Sequence, residues 1–333
     1  MTGIKEKTTM KMAEVEESTP KLKEDEKFVK NTTSVCPECY QVLPATIFER
    51  DDKIWIRKVC PEHGEVEALY WGDSDMYHRA MQFTAPERNI TGLNIEEMVA
   101  PCPLNCGYCP EHKNQTALAN IVATNRCDLS CWYCFFYAKK AGYVYEPSIP
   151  QIRQMVRSLQ KQGPFPPNAI QITGGEPLIR EDLLEMINAI KEEGITHIQL
   201  NTNGIRFAKL LIKEGKEEAV ELGRRLRDAG VNTLYLSFDG VTPQTNPKNH
   251  YEIPYIFNIL RLSELKSITL VPTIIKNQNA HEVGDMVKFA SQNQDIVRAI
   301  NFQPVSLTGS MPREKRKEHR ITIPGVIKKI EEQ

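Results

Sequence analysis

The chain has 333 residues, enough for one large domain or two smaller ones with a sizeable core. Its formal net charge of −1 creates no global positive field, so the sequence predicts no nucleic-acid partner. The sequence contains no run of eighteen apolar residues, and it therefore predicts no transmembrane segment. The nine cysteines fall in three groups of three, which indicates metal sites in a reducing cytosol rather than disulfides. We expect a cytoplasmic protein, with peripheral membrane association left open.

The N-terminal region divides into a charged tail and a small cysteine-containing module. Residues 1–33 mix lysines with acids and have few aromatics, which predicts a disordered tail. Residues 34–75 hold two knuckles with the spacing of a zinc ribbon or a rubredoxin-like iron site, separated by a strand-like stretch at 53–59. A structural role for one mononuclear zinc or iron is favoured over electron transfer. The four predicted ligands are Cys36, Cys39, Cys60 and His63.

Residues 76–118 are predicted to be a connector, a helix and a loop that carries the second cysteine group. This group has the spacing Cys-x3-Cys-x2-Cys, and it follows Glu-Glu-Met-Val-Ala-Pro, which is not a barrel strand. We expect it to hold an auxiliary [4Fe–4S] cluster, with a structural zinc as the alternative. The fourth ligand stays open between His112, a residue elsewhere, a missing C-terminal region and substrate. The three cysteines are Cys102, Cys106 and Cys109.

The third cysteine group carries most of the functional information. Its spacing is again Cys-x3-Cys-x2-Cys, but it lies directly after the apolar stretch 119–124. Clusters are normally held by four thiolates, so three on one compact loop leave one iron open to a substrate or cofactor. A zinc site would favour paired knuckles that supply four ligands. The group consists of Cys127, Cys131 and Cys134, with the aromatic Tyr133 before the last cysteine.

A glycine-rich motif follows at the end of the apolar run 169–173. Glycines let the backbone approach a ligand closely, and Glu176 supplies a charge-assisted acceptor for an ammonium group. Alone, this motif is a common turn; after the cysteine loop, it indicates a cofactor site. The motif consists of Thr173, Gly174, Gly175, Glu176 and Pro177.

From residue 119 onwards, apolar segments alternate with segments of helical periodicity. This alternation predicts βαβ units and a parallel sheet. Six units would make a partial, open (β/α)6 barrel with its reactive groups at the C-terminal ends of the strands, although a doubly wound sheet also fits. The sequence ends in what is predicted to be the start of a helix, so 119–333 is expected to be a C-terminally truncated domain. Strands are predicted at 119–124, 169–173, 197–202, 232–238, 268–275 and 298–305, and helices near 148–162, 180–193, 216–229, 251–263 and 280–291.

The third cysteine group and Gly-Gly-Glu-Pro resemble the motifs of radical S-adenosylmethionine (SAM) enzymes. The upstream modules resemble one archaeal subgroup, the tetraether lipid synthases, through Cys-Pro-x2-Cys-Gly-x-Cys-Pro, Tyr-Trp-Gly-Asp at 70–73 and Cys-Pro-Glu-His-Gly. The resemblance runs from about residue 34 to the end of the sequence. One departure is that the chain has no cysteine after Cys134, where the subgroup carries further cysteines for another cluster.

The resemblance implies a [4Fe–4S] cluster and S-adenosyl-L-methionine as cofactors, and generation of a 5′-deoxyadenosyl radical. The third cysteine group would hold the cluster, and Glu176 with its two glycines would hold the methionine amine. Ser237 or Asp239 could hydrogen-bond the ribose hydroxyls, with ordinary polar loop residues as the alternative. Asn201 and Asn203 are weaker candidates for the same role.

The implied reaction is the coupling of isoprenoid chain ends of archaeal diether lipids into tetraethers. The alternative within the same superfamily is a methyltransferase acting on 7,8-dihydro-6-hydroxymethylpterin in methanopterin biosynthesis. A zinc-ribbon binding module is a remote third hypothesis, because it leaves Gly-Gly-Glu-Pro unexplained. The expected partners are the lipid or pterin substrate and an electron donor such as ferredoxin.

Overall fold

The computed structural model describes residues 19–83, 115–136 and 141–333. These residues form two compact units: an N-terminal one, to which residues 322–327 also belong, and a larger one that contains the parallel sheet. Most of the predicted disordered tail lies outside the described residues. The second cysteine group also lies outside them: Cys102, Cys106, Cys109 and the nearby His112. Among the described helices, none combines the length and apolar character needed to cross a membrane.

The N-terminal unit contains a four-stranded antiparallel sheet. Asp51 and Asp52 both have φ of 52°, as a two-residue type I′ hairpin requires. Helix α1 (Ser74–Met81) follows the sheet, and the Asp73 carboxylate caps it by accepting a hydrogen bond from Met76 N at 2.8 Å. The strands pair in chain order and are β1 (Lys27–Val35), β2 (Val42–Arg50), β3 (Lys53–Cys60) and β4 (Gly64–Trp71).

Strand β1 corrects the predicted extent of the N-terminal tail. Residues 27–33 belong to a strand, and Glu26 just before them is buried. The strand is rich in Lys and Thr, so its composition gives little apolar signal. It forms because β2 pairs with it along its length and because Arg57 supplies a buried partner for Glu26.

The second unit contains a six-stranded parallel sheet whose strands lie in the order in which the chain forms them. This order excludes a doubly wound sheet for the described strands, because the strand order of a doubly wound sheet reverses at a switch point. The α/β class with a parallel sheet is confirmed, whereas closure into a partial barrel stays a prediction. The strands are β5 (Ala119–Thr124), β6 (Ala169–Gly174), β7 (His197–Thr202), β8 (Val231–Ser237), β9 (Ile268–Val271) and β11 (Val297–Ile300), with β10 (Thr273–Ile274) and β12 (Gln303–Pro304) as a separate parallel pair.

Helices connect most of these strands. Ser148 begins the first of them with a capping box, in which its side chain and that of Gln151 satisfy each other's backbone N–H groups. The helix at 205–213 was not predicted from the sequence. The helices are α2 (Ile149–Gln160), α3 (Leu183–Glu192), α4 (Ile205–Lys213), α5 (Lys216–Ala229), α6 (Ile253–Leu262), α7 (Val283–Gln292), α8 (Arg316–His319) and α9 (Ile323–Glu332).

The parallel strands alternate buried apolar residues with more polar ones, and this alternation positions the functional site. One row of buried apolar residues runs across five neighbouring strands and consists of Ile121, Ile172, Leu200, Leu234 and Ile268. Burial of each such side chain contributes roughly 2 kcal/mol. Because successive side chains point to opposite faces of a strand, the intervening positions face the other way. Those that line a cavity at the strand ends are Thr173, Asn201, Tyr235, Ser237 and Val271.

Candidate active site

A cavity of about 210 Å³ lies at the carboxyl ends of the parallel strands. It brings together the third cysteine group, the glycine-rich motif and polar residues from the ends of β7 and β8. These residues come from separate segments of the sequence, and the parallel sheet places them around one space. The lining includes Cys127, Cys131, Tyr133, Cys134, Thr173, Gly174, Gly175, Glu176, Asn201, Thr202, Asn203, Ser237 and Lys248.

The cysteine loop begins directly after β5. Cys127 Sγ accepts a hydrogen bond from Leu129 N at 3.4 Å, and Cys134 N donates to Cys131 O at 3.2 Å. Burial raises the pKa of the Cys127 thiol to about 11 and also raises that of Cys131, so both are neutral thiols unless a metal binds. A metal would deprotonate them. Among the described residues, the cavity lining contains three cysteines and no fourth, which fits a cluster with one open iron.

The two glycines of the motif pack against the backbone that enters the cysteine loop. Gly175 N donates to Thr124 O at 2.8 Å, and Glu176 N donates to Arg126 O at 2.8 Å. A Cβ on Gly174 would clash with the Thr124 carbonyl, and a Cβ on Gly175 would clash with the Arg126 carbonyl. The sequence predicted that these glycines let the backbone approach a ligand closely. In the structure they allow the backbone of the motif to approach the backbone at Thr124 and Arg126.

Glu176 lies almost fully buried in the cavity wall, with 2% of its surface exposed. Its carboxylate accepts hydrogen bonds from Leu178 N at 3.0 Å, Thr202 Oγ1 at 2.7 Å and Asn203 N at 2.7 Å. Burial raises its pKa to about 7, although these hydrogen bonds act in the opposite direction. Because a carboxylate has about four acceptor positions, one remains for an ammonium donor.

The other predicted ligand-binding residues occupy different positions. Pro177 begins a 3₁₀ turn that ends at Ile179. Asn201 Nδ2 donates to Thr173 Oγ1 at 3.2 Å at the cavity wall, and Ser237 lines the cavity at the end of β8. Their roles toward a cofactor stay predictions.

Asp239 is absent from the cavity lining, and its predicted contact with a ribose stays a prediction. It is 2% exposed, and its Oδ1 accepts a hydrogen bond from Thr273 N at 2.9 Å. Its Oδ2 accepts a hydrogen bond from the Tyr133 hydroxyl and pairs with Lys248 Nζ at 2.8 Å. Both oxygens of Asp239 thus have protein partners, and one of these partners is the tyrosine of the cysteine loop.

Lys248 is a cavity residue that sequence reasoning missed. It lies in the loop between β8 and α6, within Asn-Pro-Lys-Asn, which carries no recognisable motif. Only the fold shows that its Nζ lies 5.1 Å from the ring centroid of Tyr133, which is itself buried.

A second candidate site lies in the N-terminal unit. The ligand atoms of Cys36, Cys39, Cys60 and His63 lie within 4.8 Å of one another. Cys39 Sγ and Cys60 Sγ are 3.7 Å apart, and Cys36 Sγ is 3.8 Å from His63 Nδ1. Two sulfurs bound tetrahedrally at about 2.3 Å would be about 3.8 Å apart, so the four groups fit one metal ion. Zinc and iron both remain compatible with this ligand set.

Comparison with known protein families agrees with this geometry. Residues 121–290 match the model of the radical SAM superfamily. The chain belongs to the radical SAM superfamily. Membership implies a [4Fe–4S] cluster and SAM, for which the three cavity cysteines and Glu176 supply suitable groups. Residues 28–72 match a second model, described as the HMPTM N-terminal zinc ribbon domain, which confirms the predicted metal-binding module.

Several known proteins are similar to this chain. It is 41% identical over 319 residues to the 7,8-dihydro-6-hydroxymethylpterin dimethyltransferase of Methanocaldococcus jannaschii, covering 91% of this chain and 58% of that protein. It is 29% identical over 200 residues to the GTP 3′,8-cyclase of Limosilactobacillus fermentum, covering 56% and 54%. The chain thus spans a little over half the length of these relatives. HydG, a maturase of the [FeFe]-hydrogenase, shares the fold, with a TM-score of 0.50 at 16% identity over 64% of this chain and 48% of HydG.

Proposed function

We propose that this chain is a radical SAM methyltransferase whose substrate is a dihydropterin, 7,8-dihydro-6-hydroxymethylpterin. The observation that carries the proposal is the 41% identity to the pterin dimethyltransferase over 91% of this chain. The match of residues 28–72 to the HMPTM zinc ribbon supports it from a different part of the chain. The coupling of lipid chains receives less support, because the names of the relatives described above refer to a pterin and to GTP.

The character of the cavity also supports a polar ligand. Its described lining contains side-chain hydrogen-bonding groups from Thr173, Asn201, Thr202 and Ser237. A heterocycle or a nucleoside can use the donor and acceptor capacity that these groups keep beyond their contacts within the protein, whereas an isoprenoid chain offers no hydrogen-bonding group.

Cys127, Cys131 and Cys134 would hold the cluster. Together, the cluster and SAM supply a 5′-deoxyadenosyl radical, and the protein provides binding, orientation and exclusion of water. Cys131 packs against a buried apolar cluster that consists of Tyr133, Ile275, Val305 and Met311. This wall keeps water from one side of the cysteine loop.

Glu176 would receive the ammonium group of the methionine. With its pKa at about 7, Glu176 in the folded protein without a ligand is present in both protonated and charged forms at neutral pH. An ammonium ion at hydrogen-bonding distance stabilises the carboxylate, so binding would shift Glu176 to its charged form. Ser237, at the end of β8, lines the cavity and would contact a ribose hydroxyl, with Asn201 and Asn203 as weaker candidates.

The proposal is tested by anaerobic incubation of the reconstituted chain with SAM and dithionite, in parallel with the dihydropterin and with an archaeal diether lipid. We expect 5′-deoxyadenosine and a pterin that has gained one or two methyl groups, both detected by mass spectrometry. Cys131→Ala serves as the control and should yield neither product. Coupled lipid chains without methylated pterin would overturn the proposed substrate.

A further inference from the structure

Lys248 is the only cationic side chain among the described residues that line the cavity. Its Nζ lies 2.8 Å from Asp239 Oδ2, and the two side chains are 12% and 2% exposed. The lysine reaches the cavity and the aspartate does not, so the ion pair presents its positive end to the cavity.

This ion pair is attached to the cysteine loop itself. Asp239 accepts a hydrogen bond from the hydroxyl of Tyr133, which lies between Cys131 and Cys134 in the sequence. The ammonium of Lys248 lies 5.1 Å from the centroid of the Tyr133 ring, a cation–π distance. Asp239 is fixed in turn by Thr273 N, which donates to its Oδ1 at 2.9 Å. The charge is therefore held in place relative to the cysteines.

Lys248 keeps its charge in this setting. Burial acts to lower its pKa, but the negative charge of Asp239 at 2.8 Å raises the pKa above its usual value. In an interior of low dielectric constant, a fixed cation interacts more strongly with a nearby site than it would in water. Net charge around an iron–sulfur cluster is one of the factors that set its reduction potential.

We propose that the positive charge of Lys248 raises the reduction potential of the cluster held by the three cavity cysteines. The negative charge of Asp239 lowers this potential and so offsets part of the effect of the lysine. The inference rests on the proposed function only in placing the cluster on those cysteines. When the cluster takes up one electron, its net charge becomes one unit more negative. A cation at the cavity wall favours that reduced state, and an anion behind the cation disfavours it.

The test is an anaerobic redox titration of the reconstituted full chain with dithionite and mediators, followed by the electron paramagnetic resonance signal of the reduced cluster. Lys248→Met should lower the midpoint potential, Asp239→Asn should raise it, and the double variant should fall between the two. Both single variants break the same ion pair, so mere loss of local structure would move the two potentials in the same direction. Shifts of the same sign, or no shifts, would overturn the proposal.

Two control variants test whether the position of the cation and its charge determine the potential. Arg261→Met removes a cation that pairs with Asp295 at 2.6 Å and is absent from the cavity lining, so it should leave the potential unchanged. Lys248→Arg keeps the charge and should stay close to the wild type.

Lys248→Met leaves Asp239 buried without its cation, and this variant could fail to fold. The comparison of Asp239→Asn with the double variant then isolates the lysine, since neither leaves a buried anion without a partner. The titration is run near neutral pH, well below the usual pKa of lysine, so that Lys248 stays charged in Asp239→Asn. The double variant should have the lower potential, and equal potentials would overturn the proposal. Iron content and the cluster absorption of the wild type are measured separately: their absence contradicts the proposed cluster site, whereas a cluster with unshifted potentials contradicts only the role of Lys248.

Discussion

The carboxylate of Glu176 accepts a hydrogen bond from the backbone N–H of Asn203 at 2.7 Å, which joins the loops after β6 and β7 at one buried point. Asn203 then donates its side-chain amide to Asp128 Oδ1 at 2.8 Å, within the cysteine loop. Asp128 is held further by Lys209 at 2.7 Å. The ends of three successive strands are thus connected through the acid of the glycine-rich motif before any ligand binds.

Replacing Glu176 by Gln should change how the stability of the apoprotein depends on pH. The pKa of Glu176 is raised from 4.5 to about 7, so its favourable contribution is fully present below pH 4.5 and is lost as pH rises through 7. The loss amounts to roughly 3 kcal/mol. Glu176→Gln cannot titrate, so the difference in unfolding free energy between the two proteins should vary across this window. Denaturant unfolding at a series of pH values measures it, and parallel curves for the two proteins would contradict the prediction.

Gly174→Ala should disrupt the contact between the motif and the cysteine loop. Gly174 has φ of +138°, and a Cβ there would clash with the Thr124 carbonyl, so the substitution adds a steric conflict to backbone strain of about 1–3 kcal/mol. Gly194→Ala is the matched control, because Gly194 also has a positive φ of +93° but has no atom within 4 Å of the new Cβ. We expect Gly174→Ala to lose more unfolding free energy and to bind less iron after reconstitution. Equal losses in both variants would show that the close approach does not matter.

Cys131→Ala and Cys106→Ala should separate the two cysteine groups that share one spacing. Cys131 lines the cavity beside Glu176, so its loss should abolish formation of 5′-deoxyadenosine. Cys106→Ala should leave cleavage of SAM intact and block the final product. Chromatography of 5′-deoxyadenosine from both variants provides the measurement. The opposite pattern would mean that the roles of the two groups are reversed.

The metal of the N-terminal unit should depend on His63 and not on a neighbouring histidine. His63→Ala removes one of four ligand groups that lie within 4.8 Å of one another, and it should lower both the metal content and the thermal midpoint of the unit. His78→Ala is the control, because His78 belongs to the same unit but pairs with Glu49 at 2.9 Å. Elemental analysis identifies the metal as zinc or iron at the same time. Retention of a full metal equivalent in His63→Ala would exclude it as a required ligand.

The sequence was sufficient to predict the parallel strands and the meeting of the two main motifs. Apolar runs separated by helical periodicity predict parallel strands but leave their order open, and the carboxyl ends of parallel strands share one edge. The last two predicted strands, 268–275 and 298–305, are each divided in the structure between the main sheet and the separate pair of β10 and β12. The sequence therefore predicts that Cys127 and Glu176, which follow neighbouring strands, lie close together, and both line the same cavity.

Features fixed by tertiary contacts were not predictable in the same way. Lys248 pairs with Asp239 across a loop whose path depends on Asn249, whose amide donates to the carbonyls of Asn203 at 2.7 Å and Ser237 at 2.9 Å. No local pattern encodes that path. The helix at 205–213 lies between β7, which ends at Thr202, and the next helix, which begins at Lys216. Its apolar residues are therefore hard to distinguish in the sequence from those of its two neighbours.

Strand β1 provides the last prediction, because its start depends on one buried ion pair. Arg57 is 1% exposed and donates to Glu26 Oε2 at 2.7 Å, and this hydrogen bond lowers the pKa of Glu26 from 4.5 to about 2. The stabilisation is therefore present above pH 4.5 and is lost as pH falls through 2. Glu26→Gln should lower the unfolding free energy by about 2 kcal/mol at neutral pH, because a charged hydrogen bond is lost while Arg57 keeps Glu67 as a partner at 2.7 Å. Glu24→Gln, at an exposed position two residues earlier, should have no comparable effect. If acid unfolding followed by circular dichroism gave the same midpoint for Glu26→Gln and the wild type, the buried pair would not be what anchors the start of the strand.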